Sequence, residues 1–89
     1  MIEITVTQYE KHQENDIILD SYNCDNEIEA ARWVKDSWDN ECEDMFGENP
    51  IKIKKLASEI KKTGNIVIET PYCADAQITW TIIKHLNKG

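Results

Sequence analysis

The spacing of apolar residues changes twice along this chain of 89 residues, and that change restricts the possible folds more than any other feature. In residues 2–9, isoleucine and valine alternate with polar side chains, a period of two that is typical of a half-buried strand. The polar run at residues 11–15 predicts a hairpin loop, and the apolar run at 17–22 predicts a second strand. We therefore expect the chain to begin with two antiparallel strands.

A helical period of three to four residues replaces this alternation from residue 28 onward. Asp25 is placed to cap the first helix, and Gly47 is placed to end it. The positions that we expect to face the core are Ile28, Ala31, Val34, Trp38, Cys42 and Met45.

A second helical pattern follows, with Asn49 as the predicted cap, Pro50 at its first position and Gly64 at its end. Its predicted core-facing residues are Ile53, Leu56, Ala57 and Ile60.

The last third of the chain is rich in β-branched residues. Residues 65–70 predict a third strand, and residues 77–83 favour a fourth strand after a turn at 70–76. A helix is the alternative for this tail, because Asp75 could cap it and Ile78, Ile82 and Leu86 could share one helical face. With the tail as a strand, residues 1–89 form a single α+β domain in the order ββααββ. The domain is then a four-stranded antiparallel sheet with two helices packed on one face.

The charges are divided between the two halves of the chain. Residues 1–48 carry fourteen acidic and three basic side chains, whereas residues 49–89 carry three acidic and seven basic ones, for a net charge of −7. Such an asymmetry predicts electrostatic attraction to a charged partner. No apolar run is long enough to cross a membrane, and the first residues lack a secretion signal, so we expect a cytoplasmic protein.

The residues that most often perform catalysis or bind metals show no recognisable grouping. Cys24, Cys42 and Cys73 include no closely spaced pair, so we expect reduced thiols, no metal site and no cofactor. His12 and His85 lie in polar surroundings without a nucleophile at a recognisable spacing. Glu69 is the acid that we expect to be partly buried, at the end of a strand, where a salt bridge is its expected role. We expect no enzymatic activity.

The strongest candidate site is the face of the first helix opposite its apolar positions. A binding face there would consist of Glu29, Trp33, Asp36, Asp39, Asn40, Glu43 and Asp44, with Arg32 as the one base among them. The simpler interpretation is a solvated face that keeps an acidic protein in solution. Trp33 favours a binding face, since it lies roughly 140° around the helix from Trp38 and both cannot enter one core. The alternative for Trp33 is that the tail or a neighbouring loop covers it.

A row of carboxylates on a helix can imitate the phosphates of a nucleic acid. In size and charge the chain resembles small acidic phage-encoded inhibitors, including anti-CRISPR proteins and other DNA mimics. This resemblance implies an inhibitor from a phage or mobile element that docks its acidic helix on a basic surface of a nucleic-acid-handling protein.

Two other functions remain open at this point. The protein could self-associate through its oppositely charged halves, head to tail or as a homodimer. It could instead bind nucleic acid through a lysine-rich second helix, with Lys52, Lys54, Lys55, Lys61 and Lys62. The simpler interpretation is that these lysines are solvated and balance the acidic first helix. The net charge of −7 argues against direct binding to nucleic acid.

Overall fold

The computed structural model describes residues 1–42 and 45–85. Its elements are β1 (Ile2–Glu10), β2 (Ile17–Cys24), α1 (Glu27–Cys42), α2 (Ile53–Thr63), β3 (Asn65–Glu69) and β4 (Ala76–Lys84). Within these residues the strands form one antiparallel sheet in the order β2-β1-β4-β3. The predicted α+β fold in the order ββααββ is confirmed, including the fourth strand. The helical alternative for the tail is wrong over β4, and Leu86 lies outside the described residues.

The two faces of the sheet differ because side chains alternate along each strand. Ile4 lies opposite Tyr22 on one side and Ile82 on the other, and Ile82 lies opposite Ile66. This row of apolar residues lies on the face that packs against both helices. The next row lies on the face that points away from the helices and consists of Ser21, Thr5, Thr81 and Val67.

Two buried tryptophans fix α1 on the centre of the sheet. The ring of Trp38 in α1 stacks on the ring of Trp80 in β4, with their centroids 5.1 Å apart. The Trp80 indole N–H donates a hydrogen bond of 2.8 Å to the hydroxyl of Ser37, so a buried polar group has its partner. These contacts turn one side of α1 inward and its opposite side toward solvent.

The inward side of α1 differs from the prediction at two positions. Ala31, Val34, Trp38 and Cys42 are buried as expected. Ile28 is 44 % exposed and Met45 is 58 % exposed, so both were wrongly assigned to the core. Burial of Ala30 and Ser37 turns the buried stripe away from Ile28, and Met45 follows the described end of the helix, where the helical period no longer applies.

Both predicted helix starts are also wrong. The cap of α1 is Asn26 instead of Asp25, because the Asn26 side-chain oxygen accepts the backbone N–H of Glu29 at 2.7 Å. Helix α2 begins at Ile53, three residues after Pro50. Asn49 caps no helix, since its side-chain oxygen accepts the backbone N–H of Ile51 and its amide donates to α1.

The predicted end of α2 is confirmed at Gly64. This residue has a φ of 75°, which glycine adopts without strain, and its N–H donates to the Ile60 carbonyl. The predicted core residues Leu56, Ala57 and Ile60 are buried, and Ile53 packs partly exposed against them.

Candidate protein-binding face

The packing of α1 leaves the predicted acidic residues on its solvent side. Glu29, Asp36, Asp39 and Asn40 are all exposed. We call these four residues, with Trp33 at their border, the acidic face. Glu43 and Asp44 were also predicted to belong to it, but they lie outside the described residues.

Glu29 is held in place by a residue of the neighbouring edge strand. The hydroxyl of Tyr22 in β2 donates a hydrogen bond of 2.7 Å to a Glu29 carboxylate oxygen. The pKa of Tyr22 is raised above its usual value, mainly by this hydrogen bond and to a smaller extent by desolvation. The phenol therefore stays neutral and remains a donor at physiological pH. As a result, the carboxylate at the start of the acidic face is fixed in orientation while it stays open to solvent.

Trp33 is one helical turn beyond Glu29 and contacts the same tyrosine. The rings of Trp33 and Tyr22 are parallel, with centroids 5.2 Å apart. The sequence left two alternatives for Trp33, an exposed anchor or a ring covered by the tail or a loop. In the structure the ring is partly buried, and the residue that covers one of its faces comes from β2. The stacked pair is thus a rigid aromatic border beside the carboxylates.

Asp39 accepts a hydrogen bond from the side-chain amide of Asn49 at 2.9 Å. The same amide donates to the backbone carbonyl of Lys35, which connects α1 to the segment before α2. The Lys35 ammonium also points toward this segment and donates to the carbonyl of Ile51 at 3.1 Å. One of the few basic side chains of α1 is thereby directed away from the acidic face.

The carboxylates of the acidic face form no ion pair among residues 1–42 and 45–85, although the exposed Arg32 lies on the same side of α1. Within this part of the chain an ion pair joins Lys84 to Glu27 at 2.6 Å, and His85 Nε2 lies 3.4 Å from a Glu3 carboxylate oxygen. The Lys84 ammonium lowers the pKa of the Glu27 carboxyl, first of all through their hydrogen bond. Neither pair includes a residue of the acidic face, so its carboxylates are available to an external cation.

The order of the strands places the acidic and the basic side chains on opposite sides of the molecule. Strands β2 and β3 are the two edges of the sheet, with α1 packed near β1 and β2 and α2 packed near β3 and β4. Four further exposed acids lie on or beside β2, namely Glu14, Asp16, Asp20 and Asp25. The five lysines of the second helical region, Lys52, Lys54, Lys55, Lys61 and Lys62, are exposed on the other side.

Sequence reasoning missed Tyr22 and these four acids. The signal for the acids was present in the charge of the first half of the chain, but their position beside α1 depends on strand pairing. Tyr22 was predicted only as the end of the second strand, and its contact with Trp33 depends on the packing of α1 against that strand.

The other predicted polar positions do not converge on a site. His12 and His85 are exposed, and Glu69 is also exposed, so the prediction of a partly buried Glu69 is wrong. Its side chain shares a row with Thr79, on the sheet face that points away from both helices. Within the described residues, no three His, Cys, Asp or Glu side chains are grouped to hold a metal ion.

The three cysteines differ in exposure. Cys24 and Cys42 are buried and Cys73 is exposed. Burial raises the pKa of the Cys24 and Cys42 thiols, which makes both less reactive. In the described part of the chain, no helix combines the length and apolar composition that a membrane crossing requires.

Comparisons with protein-family models, curated proteins and solved structures found no match to this chain.

Proposed function

We propose that this protein binds a positively charged surface of a nucleic-acid-handling protein through its acidic face and inhibits that protein by excluding nucleic acid. One observation carries the proposal. Glu29, Asp36 and Asp39 are exposed, and no basic side chain in the described part of the chain forms an ion pair with them.

The spacing of these carboxylates suits a row of basic groups. With a helical rise of about 1.5 Å per residue, Glu29 and Asp36 are separated by about 10 Å along the axis, and Asp36 and Asp39 by about 4.5 Å. DNA-binding proteins align Lys and Arg side chains with phosphates along a groove or strand. A rigid helix bearing carboxylates at this spacing would occupy part of such a row.

In the described part of the chain the carboxylates of the acidic face form no ion pair, which matters for the free energy of binding. A carboxylate in an ion pair must lose its cationic partner before it binds another cation, whereas these carboxylates have no such pair to break. The net charge of −7 and its concentration on the β2 and α1 side also steer the protein toward a basic surface. Steering of this kind raises association rates by roughly 10- to 1,000-fold at low salt.

The stacked Trp33 and Tyr22 rings would supply the apolar part of the contact. Tryptophan and tyrosine are the residues most often found at the energetic centre of protein interfaces. Because the two rings are already fixed against each other, binding would cost little additional side-chain entropy.

The test is a charge reversal with a matched control. Asp36→Lys lies within the acidic face, and Glu3→Lys lies on the open face of the sheet; each changes the net charge by the same amount. Proteins captured from the source cell on wild-type bait would be identified. Their binding to the wild type and both variants would then be measured by surface plasmon resonance at several salt concentrations.

We expect Asp36→Lys to slow association at low salt by roughly 3- to 30-fold and to flatten its salt dependence. Glu3→Lys should stay within about twofold of the wild type, and a DNA oligonucleotide should displace the captured protein. Equal effects of the two variants would show that net charge alone matters. An affinity that does not respond to salt would contradict the proposal.

The exposed lysines of α2 favour a second candidate, direct binding of nucleic acid. Fluorescence anisotropy with labelled duplex DNA and single-stranded RNA at physiological salt separates the two functions. We expect no binding, because the net charge of −7 repels the phosphates. Binding that Lys54→Glu abolishes would favour the second candidate.

A further inference from the structure

The two edges of the sheet differ in how well their backbone groups are protected. In an antiparallel pair, alternate residues of an edge strand direct their N–H and C=O groups away from the sheet. Thr70 donates its N–H to the Ile78 carbonyl, and the Gly64 carbonyl accepts the N–H of Lys84. Even-numbered residues therefore bond to β4, and the outward groups of β3 belong to Asn65, Val67 and Glu69.

The β2 edge carries two features that hinder pairing with another strand. Its register shifts by one residue where it passes Val6 and Thr7, which places a bulge in the edge. In addition, the Asp20 carboxylate accepts the N–H of Ser21 at 2.8 Å. Ser21 lies opposite Thr5 in a pair that forms no hydrogen bonds to β1, so the Ser21 N–H points away from the sheet. Without the Asp20 carboxylate, this N–H would be free to pair with another strand. Natural proteins use bulges and charges of this kind to block edge-to-edge association.

The β3 edge lacks this protection in the described part of the chain. The one side-chain contact to its outward groups is the hydroxyl of Thr63, which lies 3.2 Å from the Asn65 carbonyl oxygen and is 2.8 Å from a second acceptor, the Glu59 carbonyl. Val67, at the centre of the strand, is 58 % exposed. A groove of about 330 Å³ runs between this edge and α2.

Both signs of charge line the groove on its α2 side. Lys52, Lys55 and Glu59 contribute there, whereas Glu69 of β3 also borders the groove but turns its side chain to the opposite face of the sheet. A strongly acidic or strongly basic partner would therefore meet like charge on the α2 side. A symmetric partner would instead bring Lys opposite Glu.

We propose that the β3 edge pairs antiparallel with the β3 edge of a second copy of this chain, forming a symmetric dimer with its twofold axis at Val67. The two Val67 residues then face each other, and Asn65 of each copy lies opposite Glu69 of the other. The Asn65 amide can donate to that carboxylate, so no like charges meet within the strand pair.

The position of α2 supports this register. Both β3 and α2 adjoin Gly64, so distances along each can be counted from that residue. Val67 lies three strand residues after Gly64, a distance of about 10 Å, and the same distance along α2 corresponds to about seven helical residues before Gly64. The axis therefore passes close to residue 57, with Lys55 and Glu59 on either side of it. Symmetry places Lys55 of one copy beside Glu59 of the other, twice in each dimer.

The overall charge also favours dimer formation through the β3 and α2 side of the molecule. Two copies with a net charge of −7 repel each other, and the repulsion is weakest where the acids are fewest, on the β3 and α2 side. In the dimer the acidic faces lie at opposite ends and stay open. The dimer does not depend on the proposed inhibitory function, since it uses none of the residues of the acidic face.

The test is sedimentation velocity over a concentration series with proline variants of the two edges. Val67→Pro removes the central outward N–H of β3 and leaves its pairing with β4 intact, since edge strands tolerate proline at such positions. Asn23→Pro is the matched control, because it removes an outward N–H from β2. Circular dichroism would verify that both variants fold.

We expect the wild type and Asn23→Pro to sediment as dimers with the same dissociation constant, and Val67→Pro to dissociate at least tenfold more readily. A wild type that stays monomeric at all concentrations would overturn the proposal. So would oligomers larger than a dimer, or a dimer that only Asn23→Pro weakens.

A charge exchange provides a second test that does not depend on proline. Lys55→Glu should weaken the dimer, and the double variant Lys55→Glu with Glu59→Lys should restore it, because each lysine again faces a glutamate. A double variant no tighter than the single one would exclude the proposed register. Amide hydrogen exchange at Val67 should slow as the wild-type concentration rises, while exchange at Asn23 should not change.

Discussion

Replacing Trp33 with alanine tests whether the aromatic border of the acidic face is part of the folded core. The ring is partly buried and stacks on Tyr22 at 5.2 Å. If Trp33 were a free-standing anchor, its removal would affect binding and leave stability unchanged. The contacts in the structure instead predict a loss of stability.

The size of this loss follows from the area that the ring covers. A tryptophan side chain buries roughly 150–250 Å² when it is fully inside. Since Trp33 is only partly buried, roughly 100 Å² of apolar contact is lost, worth about 2.5 kcal/mol. The higher helix propensity of alanine returns about 0.5 kcal/mol. We therefore expect the free energy of unfolding to fall by about 2 kcal/mol and the melting temperature to fall by roughly 10 °C.

Urea denaturation followed by circular dichroism would measure this change. Trp38→Ala is the comparison, because Trp38 is only 5 % exposed and its removal should cost about 3–5 kcal/mol. Trp33→Phe keeps a ring against Tyr22 and is the variant in which binding can be measured without loss of fold. A Trp33→Ala protein within about 0.5 kcal/mol of the wild type would refute the reasoning and show that the ring stands free.

Two further predictions concern the buried and paired polar groups. Ser37→Ala leaves the buried N–H of Trp80 without its acceptor, so urea unfolding should show a loss of about 1–3 kcal/mol; an unchanged midpoint would mean that water replaces the hydroxyl. The Lys84 hydrogen bond lowers the pKa of Glu27 in the folded state, so its contribution is present above the ordinary carboxyl range and disappears as the pH falls through the lowered value. The melting temperature of Glu27→Gln should therefore fall less between neutral and acidic pH than that of the wild type, and parallel pH profiles would contradict this assignment.

Elements that are determined by contacts between residues close in the chain were predicted correctly, whereas those that depend on tertiary contacts were not. The strand at residues 2–9 follows from alternation, the strand at 65–70 from a run of β-branched residues, and the end of α2 at Gly64 from one backbone conformation. The structure confirms all three, with the strands at Ile2–Glu10 and Asn65–Glu69. The helix starts failed at Asp25 and Asn49, because a neighbouring asparagine formed one cap and a contact with α1 used the other side chain. A capping residue is a local signal only when no tertiary partner competes for its side chain.

The candidate site shows the same limit. That Asp36 and Asp39 lie opposite the apolar side of α1 follows from the helical period alone. That Tyr22 holds Glu29 and covers Trp33 required β2 to lie beside α1, which no spacing in the sequence specifies. The exposure of Glu69 likewise depended on the side of the sheet to which β3 turns it.

The sequence by itself determined the fold class, the order of the elements and the division of charge between the halves of the chain, because each depends on residue type and spacing. Only the tertiary structure decided that β2 and β3 are the two edges and that acids and lysines collect beside opposite ones. The reason is that strand order depends on long-range pairing, and the free energy of that pairing is shared among many residues far apart in the chain.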